Sequence, residues 1–370
     1  MDTVRVGIIG SGFVAELHAE ALRRVPNARL VAVASPTAAH AQAFAARFEV
    51  PRWFTDHETL LRDGGVDLIT VACPNDLHAP VTLAAADAGV HVICEKPLCL
   101  SLREADQMIE ACRRAGVKLM YAEELLFAPK YVRAKHLVEE GGLGRVYLVK
   151  QGECHYGPHS DWFWDVTRSG GGVLMDMGCH SVEFGRWIYD KARPVSVYAH
   201  LGRFAHTERT RGEDQSICLV EYEGGRLAIA ENSWARTGGI DDRAELYGDQ
   251  GLTIADLIRG NALTTFSNTG YGYAVEKAPE TRGWSFTGFE EMWNYGFPQE
   301  MQHFVDCVAH DRVPVESGED GRVVLEILCA AYLSARLGRK VSLQDPLPPD
   351  VAAAARPIDL WLGPAGQAAT

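Results

Sequence analysis

The chain has 370 residues, more than the ~100–200 of an ordinary domain, so two domains are expected. Hydrophobic residues make up 47% and charged residues 23%, close to globular averages, which excludes a disordered, collagen-like or coiled-coil chain. A net charge of −13 argues against nucleic acid or an anionic membrane surface as a partner.

Apolar runs of strand length alternate with helix-like stretches as far as residue 122. The runs are Val4–Ile9, Leu30–Ala34, Leu68–Ala72, Val90–Cys94 and Lys118–Tyr121. Between them Phe13–Val25, Ala38–Phe48, His78–Ala88 and Leu102–Ala115 are rich in Ala and Leu at helical spacing, and Ser101 with Glu104 forms a capping box before the last. Strands alternating with helices predict a doubly wound α/β domain with a buried parallel sheet over residues 1–122.

From Glu123 the rhythm changes. Strands are expected at Val146–Glu153, Val195–His200, Ile217–Glu221, Leu227–Trp234 and Arg243–Tyr247, with turn signals between them. Helices are expected at Val173–Tyr189, Gln299–His310 and Asp320–Leu337. Residues 123–345 therefore read as an α+β domain on a mostly antiparallel sheet with one helix-covered face. Residues 346–370 read as a C-terminal tail of Ala and Pro with little periodicity. The aromatic stretch Trp284–Phe297 reads as an interface.

Nine scattered cysteines without a CxxC pair indicate neither a zinc ribbon nor a disulfide framework. No run of ~18 apolar residues exists, and MDTVRVGIIG enters a strand pattern at once, unlike a signal peptide. A cytoplasmic protein without a membrane partner is expected.

Gly10-Ser11-Gly12-Phe13-Val14-Ala15 follows the first strand and opens a helix, the context a GxGxxG/A turn requires. Gly10 permits the tight turn, Gly12 lets the backbone approach a pyrophosphate, and Ala15 allows close helix packing. A dinucleotide is expected here, contacted by Gly10, Gly12, Phe13 and Val14. The second strand ends in Ser35-Pro36-Thr37 without the acid that holds an adenosine ribose, and no Arg follows closely. Ser35 and Thr37 can bond either form of the ribose, so NAD is favoured and NADP stays open. Ligands in such sheets lie beyond the carboxyl ends of the strands, where Pro74, Asn75 and His78 follow the third strand and Glu95 and Lys96 the fourth.

After Gly170-Gly171-Gly172, the residues Asp176, His180, Glu183 and Trp187 follow i, i+4, i+7, i+11 and would share one helix face. A His one turn from a carboxylate makes a general-base pair. The preceding loop from His155 to Asp165 is polar and aromatic. Trp162 and Trp164 can stack on the C–H face of a sugar or cyclitol ring while His155 bonds hydroxyls, although core packing explains the aromatics equally well. His155, His159 and Asp161 have no recognised metal spacing, and no metal is expected.

Together the Gly10–Ala15 turn with His18, Pro74-Asn75 with His78, Glu95-Lys96-Pro97, and Gly170-Gly171-Gly172 followed by Asp176 and His180 resemble the Gfo/Idh/MocA oxidoreductase family over nearly the whole length. The resemblance implies an N-terminal Rossmann domain, an open-faced α+β domain that supports homodimers or homotetramers, and NAD(P)-linked oxidation of a ring or chain hydroxyl in a sugar, glycoside or cyclitol. It also implies that Lys96, Asp176 and His180 are the functional Lys, Asp and His. Tyr121-Ala122-Glu123-Glu124 carries two acids where relatives often carry a basic residue. Glu123, counted among the substrate contacts, would repel an anion, so a neutral polyol is expected. The expected mechanism has His180 accept the hydroxyl proton, Lys96 stabilise the oxygen and Asp176 orient substrate and base. Two alternatives share the fold: a glycoside-cleaving enzyme using transient oxidation and elimination, and a non-catalytic dinucleotide-binding regulator.

Overall fold

The computed structural model describes residues 3–258, 263–268, 283–287, 291–344 and 347–363. They fall into two units, 1–124 with 296–325, and 125–295 with 326–370.

In the first unit β1 (Val4–Ile9), α1 (Phe13–Leu22), β2 (Ala28–Ala34), α2 (Ala38–Phe48), β3 (Arg52–Phe54), α3 (His57–Asp63), β4 (Leu68–Val71), α4 (His78–Asp87), β5 (His91–Glu95), α5 (Leu102–Ala115) and β6 (Leu119–Ala122) alternate in chain order. The strands form one parallel sheet ordered β3-β2-β1-β4-β5-β6. Their continuous apolar runs match burial on both faces, and β4 is buried throughout. The capping box forms: Ser101 Oγ accepts Glu104 N–H at 3.2 Å, and the Glu104 carboxylate reaches back to Leu100 N–H at 3.0 Å. β3 and α3 have no counterpart in the sequence reading, because β3 is three residues long and lies at the sheet edge without alternation.

The second unit follows with α6 (Pro129–Glu139), β7 (Val146–Cys154), α7 (Val166–Ser169), α8 (Val173–Asp176), α9 (Gly178–Ile188), β8 (Pro194–Gly202), β9 (Gln215–Tyr222), β10 (Arg226–Ser233), β11 (Asp241–Gly248), β12 (Leu252–Asp256), the hairpin β13 (Leu263–Ser267) and β14 (Gly283–Thr287), and α10 (Glu291–Tyr295). The chain then makes α11 (Phe297–Ala309), α12 (Gly318–Leu337), β15 (Val341–Ser342), α13 (Pro349–Ala353) and α14 (Pro357–Leu362). Seven strands pair in the order β12-β11-β7-β10-β9-β8-β15, antiparallel except for β7 with β10. Alternation decides the faces: in β9 Ser216, Cys218, Val220 and Tyr222 are buried, while Ile217, Leu219 and Glu221 face the other way. α9 packs on the buried face, where a Cβ on Gly185 would come within 2.7 Å of Ala228 Cβ.

Three expectations need revision. α11, read as part of the second domain because it follows the antiparallel strands, belongs to the first unit. There it packs on α1, and Asn27 bonds Asp306 at 2.9 Å and Gln302 at 3.1 Å. The helix read as Val173–Tyr189 is two helices broken at Met177, where Gly178 admits Leu174 so closely that a Cβ would lie 2.6 Å from it. The tail carries two short helices, α13 and α14, with Val351, Ile358 and Leu360 buried. The reading of Trp284–Phe297 falls partly on residues 288–290, outside the described residues. No helix among the described residues is long and apolar enough to cross a membrane.

Candidate active site

In the first unit, β1 ends at Gly10 between the ends of β2 and β4: Gly10 N–H donates to Ala34 and Ile9 accepts from Ala72, both at 2.9 Å. Gly10 has φ +128°, and a Cβ there would lie 2.1 Å from the Ala72 carbonyl oxygen, so only glycine fits. Gly12 opens α1 without a side-chain cap, and among the described residues nothing lies within 4 Å of where a Cβ on it would stand. The N-terminus of a helix carries the positive end of its dipole, which suits an anion. Phe13 is exposed and Val14 half-buried beside them. Ser11 Oγ and Ser35 Oγ share a hydrogen bond at 2.8 Å, which closes the turn against β2; Thr37, at the start of α2, is exposed. This cradle fits a dinucleotide pyrophosphate.

Past β4, Pro74 leads into a buried Asn75 and the start of α4 at His78. His78 is fully buried, with Nδ1 2.9 Å from the Pro97 carbonyl and Nε2 2.9 Å from the Cys73 carbonyl. Burial pushes its pKa down against those two acceptors. The ring thus braces the ends of β4 and β5.

At the end of β5, Glu95 is buried with Oε1 2.9 Å from His18 Nε2, and Oε2 accepts Lys96 N–H at 3.1 Å. Burial opposes ionisation of Glu95, but His18, Lys96 and His78 outweigh it and hold the carboxyl below its usual range. Lys96, half-buried, therefore leaves a main chain fixed by its own neighbour. Glu123 and Glu124, both buried, follow β6. Burial and the charges of Glu124, Glu95 and Glu123 push the Glu300 carboxyl of α11 well above the usual carboxylate range.

In the second unit, Asp176 ends α8 and His180 lies in the first turn of α9, both buried. One residue, Met177, separates Asp176 at the end of α8 from the helix that carries His180, Glu183 and Trp187. Glu183 is itself occupied, bonding Arg186 at 2.6 and 2.7 Å in the interior. Asp176 Oδ2 accepts the indole N–H of Trp234 at 3.1 Å, a buried partner with no sequence motif to mark it. Trp234 is pinned in turn by its N–H to Asp214 (2.8 Å) and by His206 on its carbonyl (3.0 Å).

The aromatic loop packs around that indole. Trp164 meets Trp234 edge-on at 5.7 Å, touches His206 at 4.9 Å and carries Arg209 over its ring at 4.3 Å. Trp162 stacks on Phe163 at 3.8 Å. His155 is fully buried beside His159 and Glu153. Within this unit the structure thus gathers Trp164 close to the Asp176 partner, sends Trp162 to Phe163 and buries His155. The glycine turn before α8 rests on Glu213, which accepts Gly172 N–H (3.1 Å), Leu174 N–H (2.9 Å) and Tyr332 O–H (2.7 Å). Burial pushes Glu213 up to about 7, with those donors pulling the other way.

Two family descriptions match the chain: an oxidoreductase family with an NAD-binding Rossmann fold over residues 4–123, and the GFO/IDH/MocA C-terminal domain over residues 131–254. Myo-inositol 2-dehydrogenase of Thermotoga maritima is 27% identical, covering 92% of this chain and 99% of that protein. Scyllo-inositol 2-dehydrogenase (NAD(+)) of Bacillus subtilis is 28% identical, covering 92% and 96%. Among solved structures, GenD2 from gentamicin A biosynthesis in complex with NAD matches with a TM-score of 0.88 at 33% identity, covering 93% of this chain and 97% of that one.

Proposed function

The chain belongs to the Gfo/Idh/MocA oxidoreductases and carries their NAD-binding Rossmann domain, and from that premise we propose that it oxidises a ring or chain hydroxyl of a sugar, glycoside or cyclitol. The observation that carries the reading is the buried corner of Asp176 and His180, a carboxylate and an imidazole delivered within four residues by one glycine turn. Two relatives named as inositol dehydrogenases support the cyclitol class. The buried acids Glu123 and Glu124 disfavour an anionic substrate.

In this reading His180 takes the hydroxyl proton, Lys96 hydrogen-bonds the oxygen as it gains alkoxide character, and Asp176 orients substrate and base. The Gly10–Val14 turn, Ser35 and Asn75 hold the cofactor. When bound, NAD takes up the hydride that leaves the substrate carbon. The nine cysteines, none of them in a disulfide, support a reducing, cytoplasmic setting. The open face of the seven-stranded sheet, with Ile217 and Tyr198 exposed, supports a homodimer or homotetramer, which light scattering measures.

A nicotinamide-fluorescence screen with NAD against inositols, aldoses and glycosides tests the function. NADH is expected in step with oxidised product. Lys96→Ala should lower kcat on the order of 10²–10⁴-fold while NAD affinity stays near wild type. Full turnover by that variant would end the assignment. Product without NADH build-up would move the protein to transient oxidation and elimination.

A further inference from the structure

We infer that Glu213 is a positioning residue of the reaction, fixing through its carboxylate the turn that delivers Asp176 and His180. The inference rests on the roles proposed above for those two residues.

α8 is a single turn of four residues. One helical turn fixes several dihedrals for a single hydrogen bond and has no stability of its own. The direction in which Asp176 leaves is therefore set by whatever holds the start of α8. That holder is one residue. Gly172 and Leu174 donate their N–H groups to the Glu213 carboxylate, and Val173 between them donates to the Glu213 carbonyl at 2.9 Å. The far end of α8 hangs from the same fixture, since Asp176 N–H donates to Gly172 at 3.2 Å and Met177 N–H to Val173 at 2.8 Å.

The glycines are explained by the same fixture. A Cβ on Gly172 would lie 1.9 Å from the Glu213 carbonyl oxygen, and one on Gly171 would lie 2.1 Å from the Tyr332 hydroxyl. Tyr332 O–H donates to the carboxylate at 2.7 Å and sets its rotation. Gly170 is held from another side by Ile358 N–H at 3.0 Å. A fully buried carboxylate is costly unless every donor around it is satisfied, and here it receives two backbone amides and a phenol. With its pKa at about 7 the group is part-ionised at neutral pH, and a side chain that is always neutral gives up the charge-assisted part of all three bonds.

The test uses full-length Glu213→Gln and Tyr332→Phe with two readouts. The first is the indole N–H resonance of Trp234 in ¹⁵N-labelled protein, assigned by its loss in Trp234→Phe; it reports whether Asp176 has moved. The second is kcat, KM and the primary isotope effect on the polyol that the wild type oxidises, supplied with deuterium at the reacting carbon. For Glu213→Gln the resonance is expected to shift and kcat to fall about tenfold or more, because displacing reacting groups by ~1 Å is enough for that. KM and NAD affinity should stay within about twofold, and the isotope effect should rise, since only slower hydride transfer, not a smaller folded fraction, raises it. Tyr332→Phe should move both readouts in the same direction by less. A stationary resonance, or a shifted one with wild-type kcat and isotope effect, overturns the inference. If Glu213→Gln does not fold, Tyr332→Phe decides on the same two readouts. A wild type that oxidises no polyol sinks the proposed function, and the positioning role falls with it, whatever the resonance shows about the anchor.

Discussion

Replacing Trp234 by Phe removes one hydrogen-bond donor from the interior beside Asp176 while leaving most of the packing in place. Trp234 is fully buried, its main chain is bonded at both ends, and its ring meets Trp164 and Phe163 edge-on at 5.7 and 6.2 Å. Phe retains the six-membered ring and those main-chain bonds, but loses the N–H that reaches Asp176 Oδ2 at 3.1 Å. A hydrogen bond to an ionised acceptor is worth about 1.5–3 kcal/mol, and water cannot replace it readily where Asp176 is 2% exposed. At about 1.36 kcal/mol per decade, kcat should fall roughly 10- to 150-fold if the whole bond is needed in the transition state. The lost ring atoms add a void worth about 1–2 kcal/mol of stability, a drop in Tm of several degrees. Rates should therefore be measured well below the new Tm. The decisive assay is the double-mutant cycle with Asp176→Asn. If Trp234 acts through Asp176, its loss should cost far less in that background. Losses that simply multiply, or a single variant within twofold of wild-type kcat, would refute the reasoning.

The two turn glycines should separate cofactor binding from folding. Gly10→Ala forces a side chain toward the Ala72 carbonyl at φ +128° and should lower both Tm and NAD affinity, read by thermal melts and fluorescence titration. Gly12→Ala places its Cβ in open space, so Tm should hold while NAD affinity falls; unchanged affinity would count against a pyrophosphate lying over Gly12. Asp242 supplies a pH prediction. Burial pushes its carboxyl from 3.8 up to about 7, although Tyr131 and Gln151 both donate to Oδ1, so the folded state holds a proton that the unfolded state has released. Stability then falls as pH rises from 3.8 to about 7 and levels off above it. Asp242→Asn cannot ionise, so its urea-unfolding free energy should gain on wild type across that window, and parallel curves would show that Asp242 is ionised in the fold.

The Rossmann half was readable because its signals are local. An apolar run buried on both faces, a helix with a capping box and a glycine turn after the first strand each need only neighbouring residues to be recognised. The second half was readable in its strands for the same reason, since alternation in β9 reports a sheet with one covered face. Where burial came from distant chain, the reading slipped. α11 has an ordinary amphipathic pattern that says nothing of which sheet it will join. α14 has too few residues to show a period, yet Ile358 is fully buried. The continuous helix expected through Met177 followed from spacing alone, which does not register the single residue that divides α8 from α9.

The anchors of the candidate site show the limit more sharply. Glu213 and Tyr332 reach Gly172 across 41 and 160 residues of chain, and Trp234 reaches Asp176 across 58. In sequence, Arg211-Gly212-Glu213-Asp214 looks like a solvated turn, and nothing local distinguishes its first acid from any surface carboxylate. What the sequence does carry is the imprint of the anchor on its partner. Glycines persist at 171 and 172 because a tyrosine hydroxyl and a glutamate backbone occupy the space a Cβ would need, just as Gly10 yields to the Ala72 carbonyl. A cluster of glycines ahead of an Asp and a His is then a sign that something distant is pressed against that stretch, and the chemistry of the site depends on finding what it is. Here the occupant is Glu213, whose buried carboxylate takes the N–H groups of Gly172 and Leu174 and whose carbonyl takes that of Val173, which is why the position of Asp176 follows from residue 213 more than from its own neighbours.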